Sequence, residues 1–330
     1  MRTALRVAAA AGGTLVALAM AACTSHPAPP ATSTPDPGPP VSVAPANPVA
    51  APTPPRTPAI SGVLYYVDYN HHDMLFRSTP TGLVRVLSTS ARNATVSPDG
   101  RHVANVVDVD LVITDADGGH PRTVLHGVVG DGFEPAWSPD GSRLLVTRPL
   151  ANGSGGTPGT VEVATGRFTP LAHDPHGIHY VWSANGRHIG YSTGECEVGL
   201  ADPDGGNAHL VPVLGNMDKK VNPELRRSCD PFSISPDGTR MAVALRTGDE
   251  TDGDIGRDLV ANAVVDTRTG ATVRLPVTGT VSAVLFQPDG SMLVRSSTGL
   301  VLVSAGGTVL ARAPEPAGGS AMSLLAYVPA

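Results

Sequence analysis

From residue 60 onward, apolar and polar positions alternate in short runs separated by glycine-bearing turns. A period of two over roughly four to eight residues marks half-buried strands rather than helices. One turn recurs. VSPDGRHVANVV at 96–107, WSPDGSRLLVTR at 137–148, WSANGRHIGYST at 182–193, ISPDGTRMAVAL at 234–245 and FQPDGSMLVRSS at 286–297 are five copies, spaced by 41, 45, 52 and 52 residues. Each joins a large apolar residue to a turn of Pro-Asp-Gly type and then to an alternating apolar strand. Proline presets φ, aspartate caps the turn, and glycine takes the left-handed position that closes a hairpin. Asn185-Gly186 serves the same purpose in the third copy.

A second hairpin follows each copy, at 111–125, 160–171, 198–213, 263–275 and 300–312. Four strands per unit, A to D, at a period of about 45 residues predict the blade of a β-propeller. A β-sandwich does not account for five copies of one turn in register. Three strands precede the first copy, at 62–69, 74–79 and 83–89, and one, 322–328, follows the last second hairpin. Three and one make a blade. The prediction is an all-β, six-bladed propeller over 60–330 whose C-terminal strand 322–328 joins the first blade and closes the ring, removing its open edges.

The N-terminal 59 residues read differently. Arg2 and Arg6 precede an uncharged apolar run, Val7 to Ala22, too short for a membrane span and suited to an export signal. The run ends in Met20-Ala21-Ala22-Cys23, which resembles the bacterial lipobox, with Met in place of the usual Leu or Val. That resemblance implies that Cys23 carries a diacylglycerol as the first mature residue, so the domain boundaries are 1–22, 23–59 and 60–330. The alternative is a secreted protein cut near Ala22. Between Pro27 and Pro58, 13 of 32 residues are proline, a composition that cannot bury a core and favours an extended tether. The composition resembles that of a high-GC actinobacterial protein.

Formal charge is 23 − 29 = −6, without the clustered cations that phosphate binding needs, so no nucleic-acid partner is expected. The chain is read as a monomer, attached to the membrane through Cys23. Removing Cys23 from the three cysteines leaves Cys196 and Cys229. They fall in neighbouring loops on one face of the ring, and an oxidising compartment would join them as a disulfide; two free thiols are the alternative.

The Pro-Asp-Gly repeat resembles the WD-like propeller repeat of TolB-type periplasmic proteins, over about 60–330. The resemblance implies the fold and not a Tol–Pal role: TolB proteins carry an α/β domain before the propeller, where this chain has its Pro-rich segment.

The variable loops are those between strands B and C and between D and the next A, so loop-borne chemistry is expected on that face. Its candidates for binding are His71, His72, Asp73, Asp131, Glu134, His173, His176, His179, Glu195, Glu197, Arg226 and Arg227. The histidines with their carboxylates have the donor types of a transition-metal site but no known ligand spacing. The loop from Asp249 to Asp258 places Asp252, Asp254 and Asp258 among glycines, faintly like a calcium loop, without the glutamate and helices of an EF-hand. No cofactor is expected from the sequence; calcium at this loop is the exception it leaves open. G-x-S-x-G, P-loop and dinucleotide motifs are absent from the sequence. Two readings remain: a non-enzymatic envelope lipoprotein binding a protein or peptide, or a metal-dependent hydrolase or lactonase with carboxylates converging in the central channel.

Overall fold

The computed structural model describes residues 60–330, apart from 70–72, 88–92, 131, 152–154 and 249–258. Six four-stranded antiparallel sheets follow one another along the chain. Blade 1 is built from strand A Ser323–Pro329, B Gly62–Asp68, C Met74–Thr79 and D Gly82–Arg85. The chain therefore closes on itself as the strand count predicts, with Gly62 opposite Pro329 and Val67 opposite Ser323. Blades 2 to 6 begin with inner strands Thr95–Val96, Ala136–Trp137, Ile178–Trp182, Pro231–Ile234 and Val281–Phe286. These A strands touch their neighbours in ring order, so they surround the central channel.

The recurrent turn works through one more residue than its Pro-Asp-Gly core. In the first copy the Ser97 hydroxyl donates to Asp99 at 2.6 Å and accepts from the His102 amide at 2.9 Å, while Asp99 accepts from the Arg101 amide at 3.0 Å. Ser138, Ser183 and Ser235 repeat the arrangement with Asp140, Asn185 and Asp237. The serines are buried, so each hydroxyl must find partners within the turn. Gly100, Gly141, Gly186, Gly238 and Gly290 all lie at φ between 67° and 82°, the left-handed position the sequence requires.

The core lies between blades rather than within one. Four apolar clusters fill the seams, the largest running through blades 5, 6, 1 and 2. The A–B ladders of blades 1, 4, 5 and 6 each contain a register shift. Such bulges bend and twist a strand locally. An additional two-stranded sheet, Arg226–Arg227 with Arg246–Thr247, joins two long loops on the far face and has no counterpart in the pattern read from sequence. Strand D of blade 1, expected over 83–89, ends at Arg85.

Candidate binding site at the channel mouth

The loop face does not gather its candidate residues into one site. His173 and His176 are exposed, and the His176 ring lies 3.6 Å from its neighbour Asp174. His179 instead sits inside the A–B bulge of blade 4 at φ 51°, fully buried, with its Nδ1 on the Asp230 carboxylate of the next blade. Among the described residues no three His, Cys, Asp or Glu side chains come together as a metal site. The expected histidine cluster therefore does not form: the bulge turns His179 into the protein while the loop before it carries the other two outward.

The remaining candidates have local roles. Cys196 and Cys229 are bonded, across 33 residues. Arg226 donates to the Gly270 carbonyl at 3.1 Å and pairs with Glu224. Arg227 is buried, with Nη1 on the Met217 sulfur. Glu197 accepts from the Thr193 hydroxyl at 3.4 Å, and Glu195 is exposed. Asp73 holds a left-handed turn position at φ 54°, and Glu134 is buried before strand A of blade 3. Cys23, His71, His72, Asp131, Asp252, Asp254 and Asp258 lie outside the described residues.

A concavity forms on the opposite face, where the A–B turns converge. All six blades contribute to this mouth of the central channel, a cavity of about 290 Å³. Trp137, Trp182, Phe232, Phe286 and Tyr327 supply aromatic walls, and both tryptophans of the chain are among them. The tryptophans are held in place by their neighbours: Trp137 Nε1 donates to the Thr95 carbonyl and Trp182 Nε1 to the Ala136 carbonyl, at 3.3 and 3.1 Å, each reaching the preceding blade. Pro98, Pro139 and Pro288, the prolines of three recurrent turns, form the rim, with Ala184 at the matching position of the third copy. The residues that close the hairpins thus also make the lip of the channel. Aromatic residues are only 4% of the chain; the signal for three of those at the mouth, Trp137, Trp182 and Phe286, is their position at the end of strand A, immediately before the turn.

The lip is edged with carboxylates kept ionised. Burial tends to raise the Asp99 and Asp237 pKa values, but the hydroxyls of Ser97 and Ser235 and the turn amides outweigh it and hold both below the usual range. At Asp140 the Ser138 hydroxyl is the main cause of the same lowering, and at Asp289 it is the hydrogen bond from Ser291. Burial, and then the charge of Asp289, push the Tyr327 phenol upward, so it stays protonated and donates to the Ser61 carbonyl at 2.7 Å. The site offers shape and a lining of aromatic rings interleaved with polar groups such as Thr95, Ser183 and Gln287, with charge confined to its edge.

Two of the solved structures similar to this chain are TolB proteins. TolB from Acinetobacter baumannii shares 16% identity over 76% of this chain, with a TM-score of 0.48. This chain spans 62% of that TolB's length. A putative TolB from Agrobacterium tumefaciens also shares 16% identity, over 64% of this chain and 80% of that TolB, with a TM-score of 0.44. A structure of a nidogen/laminin complex matches over 81% of this chain and 97% of its own at 10% identity and a TM-score of 0.46. No family model and no curated protein matches the sequence. The TolB similarity concerns the fold; the site is argued from its own residues.

Proposed function

We propose that this protein is an extracytoplasmic binding module, anchored through a lipidated Cys23 and a proline-rich tether, that captures an extended segment of another envelope protein at the channel mouth. The observation that carries the reading is a mouth to which all six blades contribute, with an aromatic wall and a proline rim. Concave apolar sites with polar groups at the edge are where proteins take up ligands, and aromatic surfaces fixed by packing lose little entropy on binding. A volume of about 290 Å³ suits one or two side chains rather than a folded domain. The Cys196–Cys229 bond supports an oxidising compartment.

The test places a photo-crosslinking residue at Tyr327 in the full-length protein in its native cells, and a control at exposed Glu195 on the loop face. The expected result is a discrete protein adduct from position 327, lost when Phe286→Asp is added. Adducts from position 195 alone would move the site to the other face and overturn the proposal. Membrane attachment is checked separately: Cys23→Ser should release the protein from the membrane fraction.

A further inference from the structure

The mouth does not end at its rim. A cavity of about 180 Å³ shares Phe286 and Pro288 with it and runs outward over the seam between blades 5 and 6. A third, of about 600 Å³, shares Arg240 and Ala305 with the second and reaches the outer strand of blade 5. Through these shared residues the three lie in a row from the channel to the outer strand of blade 5, with the Arg240–Ala305 hydrogen bond between the second and the third.

Their chemistry changes along the way. The inner part is the aromatic mouth. The narrow middle is lined by Asp237 and Asp289, carboxylates already satisfied by their own turns, Asp237 by the Ser235 hydroxyl at 2.6 Å and Asp289 by the Ser291 amide at 2.9 Å. The outer chamber has an apolar floor of Val273, Leu275 and buried Met292. Two guanidiniums line it: Arg240, whose Nη2 donates to the Ala305 carbonyl, and Arg274, exposed and without a hydrogen bond or ion pair among the described residues. Gly307, in the turn of blade 6, meets no neighbour where a side chain would project, which leaves that wall open.

We infer, building on the function proposed above, that the occupant is an extended peptide segment that sets an apolar side chain in the mouth and a carboxylate over Arg240 and Arg274. Like charge at Asp237 and Asp289 disfavours an acidic residue in the middle, so the crossing residues are not acidic. The path crosses a blade from strand A to strand D, three strand spacings of about 4.8 Å each, or about 14 Å. An extended chain advances about 3.4 Å per residue, which places the carboxylate about four residues from the apolar anchor. The charge complementarity supplies selectivity more than strength, because Arg274 is solvated.

The experiment is a selection of random dodecapeptides displayed on phage against the full-length protein, repeated on Arg240→Ala/Arg274→Ala and on Phe286→Asp. The expected consensus is an aromatic or aliphatic residue separated by about four positions, in either direction, from Asp or Glu. On the double arginine variant the acidic position should vanish and the apolar one remain. The best peptide and its Glu→Gln counterpart, compared by fluorescence anisotropy, should differ roughly five- to tenfold in Kd on the native protein, a difference removed by high salt. An apolar consensus without the acidic position, or an acidic position that persists on the arginine variant, overturns this inference and leaves the mouth intact as a site. Peptides that bind Phe286→Asp as well as the native protein overturn the mouth itself.

Discussion

Two joints between blades meet the same demand with different chemistry. Where blade 6 hands over to blade 1, the incoming strand A is fixed within blade 1 by the ladder from Gly62 to Val67 against Ser323 to Pro329. A buried polar cluster backs it. Arg295 donates to Glu315 at 2.9 Å and to the carbonyls of Met322 and Gly319, its guanidinium lies 5.8 Å from the Tyr66 ring, and the Tyr66 hydroxyl donates to Glu315 at 2.9 Å. Burial and the charge of Glu315 push the Tyr66 phenol upward, so it remains the donor. At the seam between blades 4 and 5 the outer strand of blade 4 is only His209–Leu210, and a long connection follows before Pro231. There the Cys196–Cys229 bond and the buried His179–Asp230 pair hold the loops. A seam rich in ladder is closed by hydrogen bonds and ion pairing; one poor in ladder is closed covalently.

The largest effect should come from removing Met322 to Ala330. Leu324 is buried, and burial of one leucine is worth about 1.5–3 kcal/mol before the lost ladder is counted. That leucine alone is a large fraction of a typical domain stability of about 5–15 kcal/mol, and the ladder is lost with it. The expected outcome is aggregated protein; a soluble chain unfolding cooperatively in urea would remove the ladder's primacy at this seam.

Next comes Glu315→Gln, which strands the Arg295 charge in the interior. Breaking a buried pair in this way costs about 3–5 kcal/mol. Replacing the group as a set, with Tyr66→Phe, Arg295→Met and Glu315→Leu, should recover most of that loss, because apolar side chains of similar volume need no counter-charge. Urea midpoints of the two variants, taken with their m-values, decide the matter; equal destabilisation would mean that shape, not charge, makes this joint.

At the other seam, Cys196→Ser/Cys229→Ser should cost about 3–4 kcal/mol on the chain-entropy estimate for a loop spanning 33 residues. Reductant should lower the Tm of the native protein toward that of the variant and leave the variant unmoved. A native protein indifferent to reductant would show that the His179–Asp230 pair and the core suffice.

The smallest effect is shared around the ring. Asp99, Asp140, Asp237 and Asp289 have lowered pKa values in the folded state. Each contributes stability that is fully present above its unfolded-state value of about 3.9 and is lost as pH falls through the lower folded-state value. Urea midpoints measured from pH 6 down to pH 2 should therefore decline below about pH 4, and Asp140→Asn should flatten the decline slightly. These carboxylates are solvent-exposed, so each contribution is small.

What could be read beforehand was what repeats. The Pro-Asp-Gly turn announces itself five times, and the blade count and closing strand follow from it. The disulfide followed from cysteine counting and the placement of two loops. Single, long-range events left no pattern. Arg295 and Glu315 are 20 residues apart, and Tyr66 and Glu315 are 249 apart, with nothing local to mark them. Strands of two residues, such as Arg226–Arg227, are too short to show a period. His179 looked like part of a histidine cluster because sequence spacing does not disclose a bulge. The channel mouth went unread because its parts come one or two per blade and meet only when the ring is closed.

That closure also sets an order of events in time. The Tyr327 hydroxyl meets the carbonyl of Ser61 across 266 residues, and the ladder beside it joins the two ends of the described chain. Contacts of such separation form late, because the whole intervening chain must first be brought together. Blades 2 to 6 are each contiguous in sequence and can take shape as they emerge. Blade 1 has to wait, with its second strand bare on one edge, until Ser323–Pro329 arrives. During that interval the chain has an exposed strand edge and an unfinished core, the condition in which chains associate wrongly.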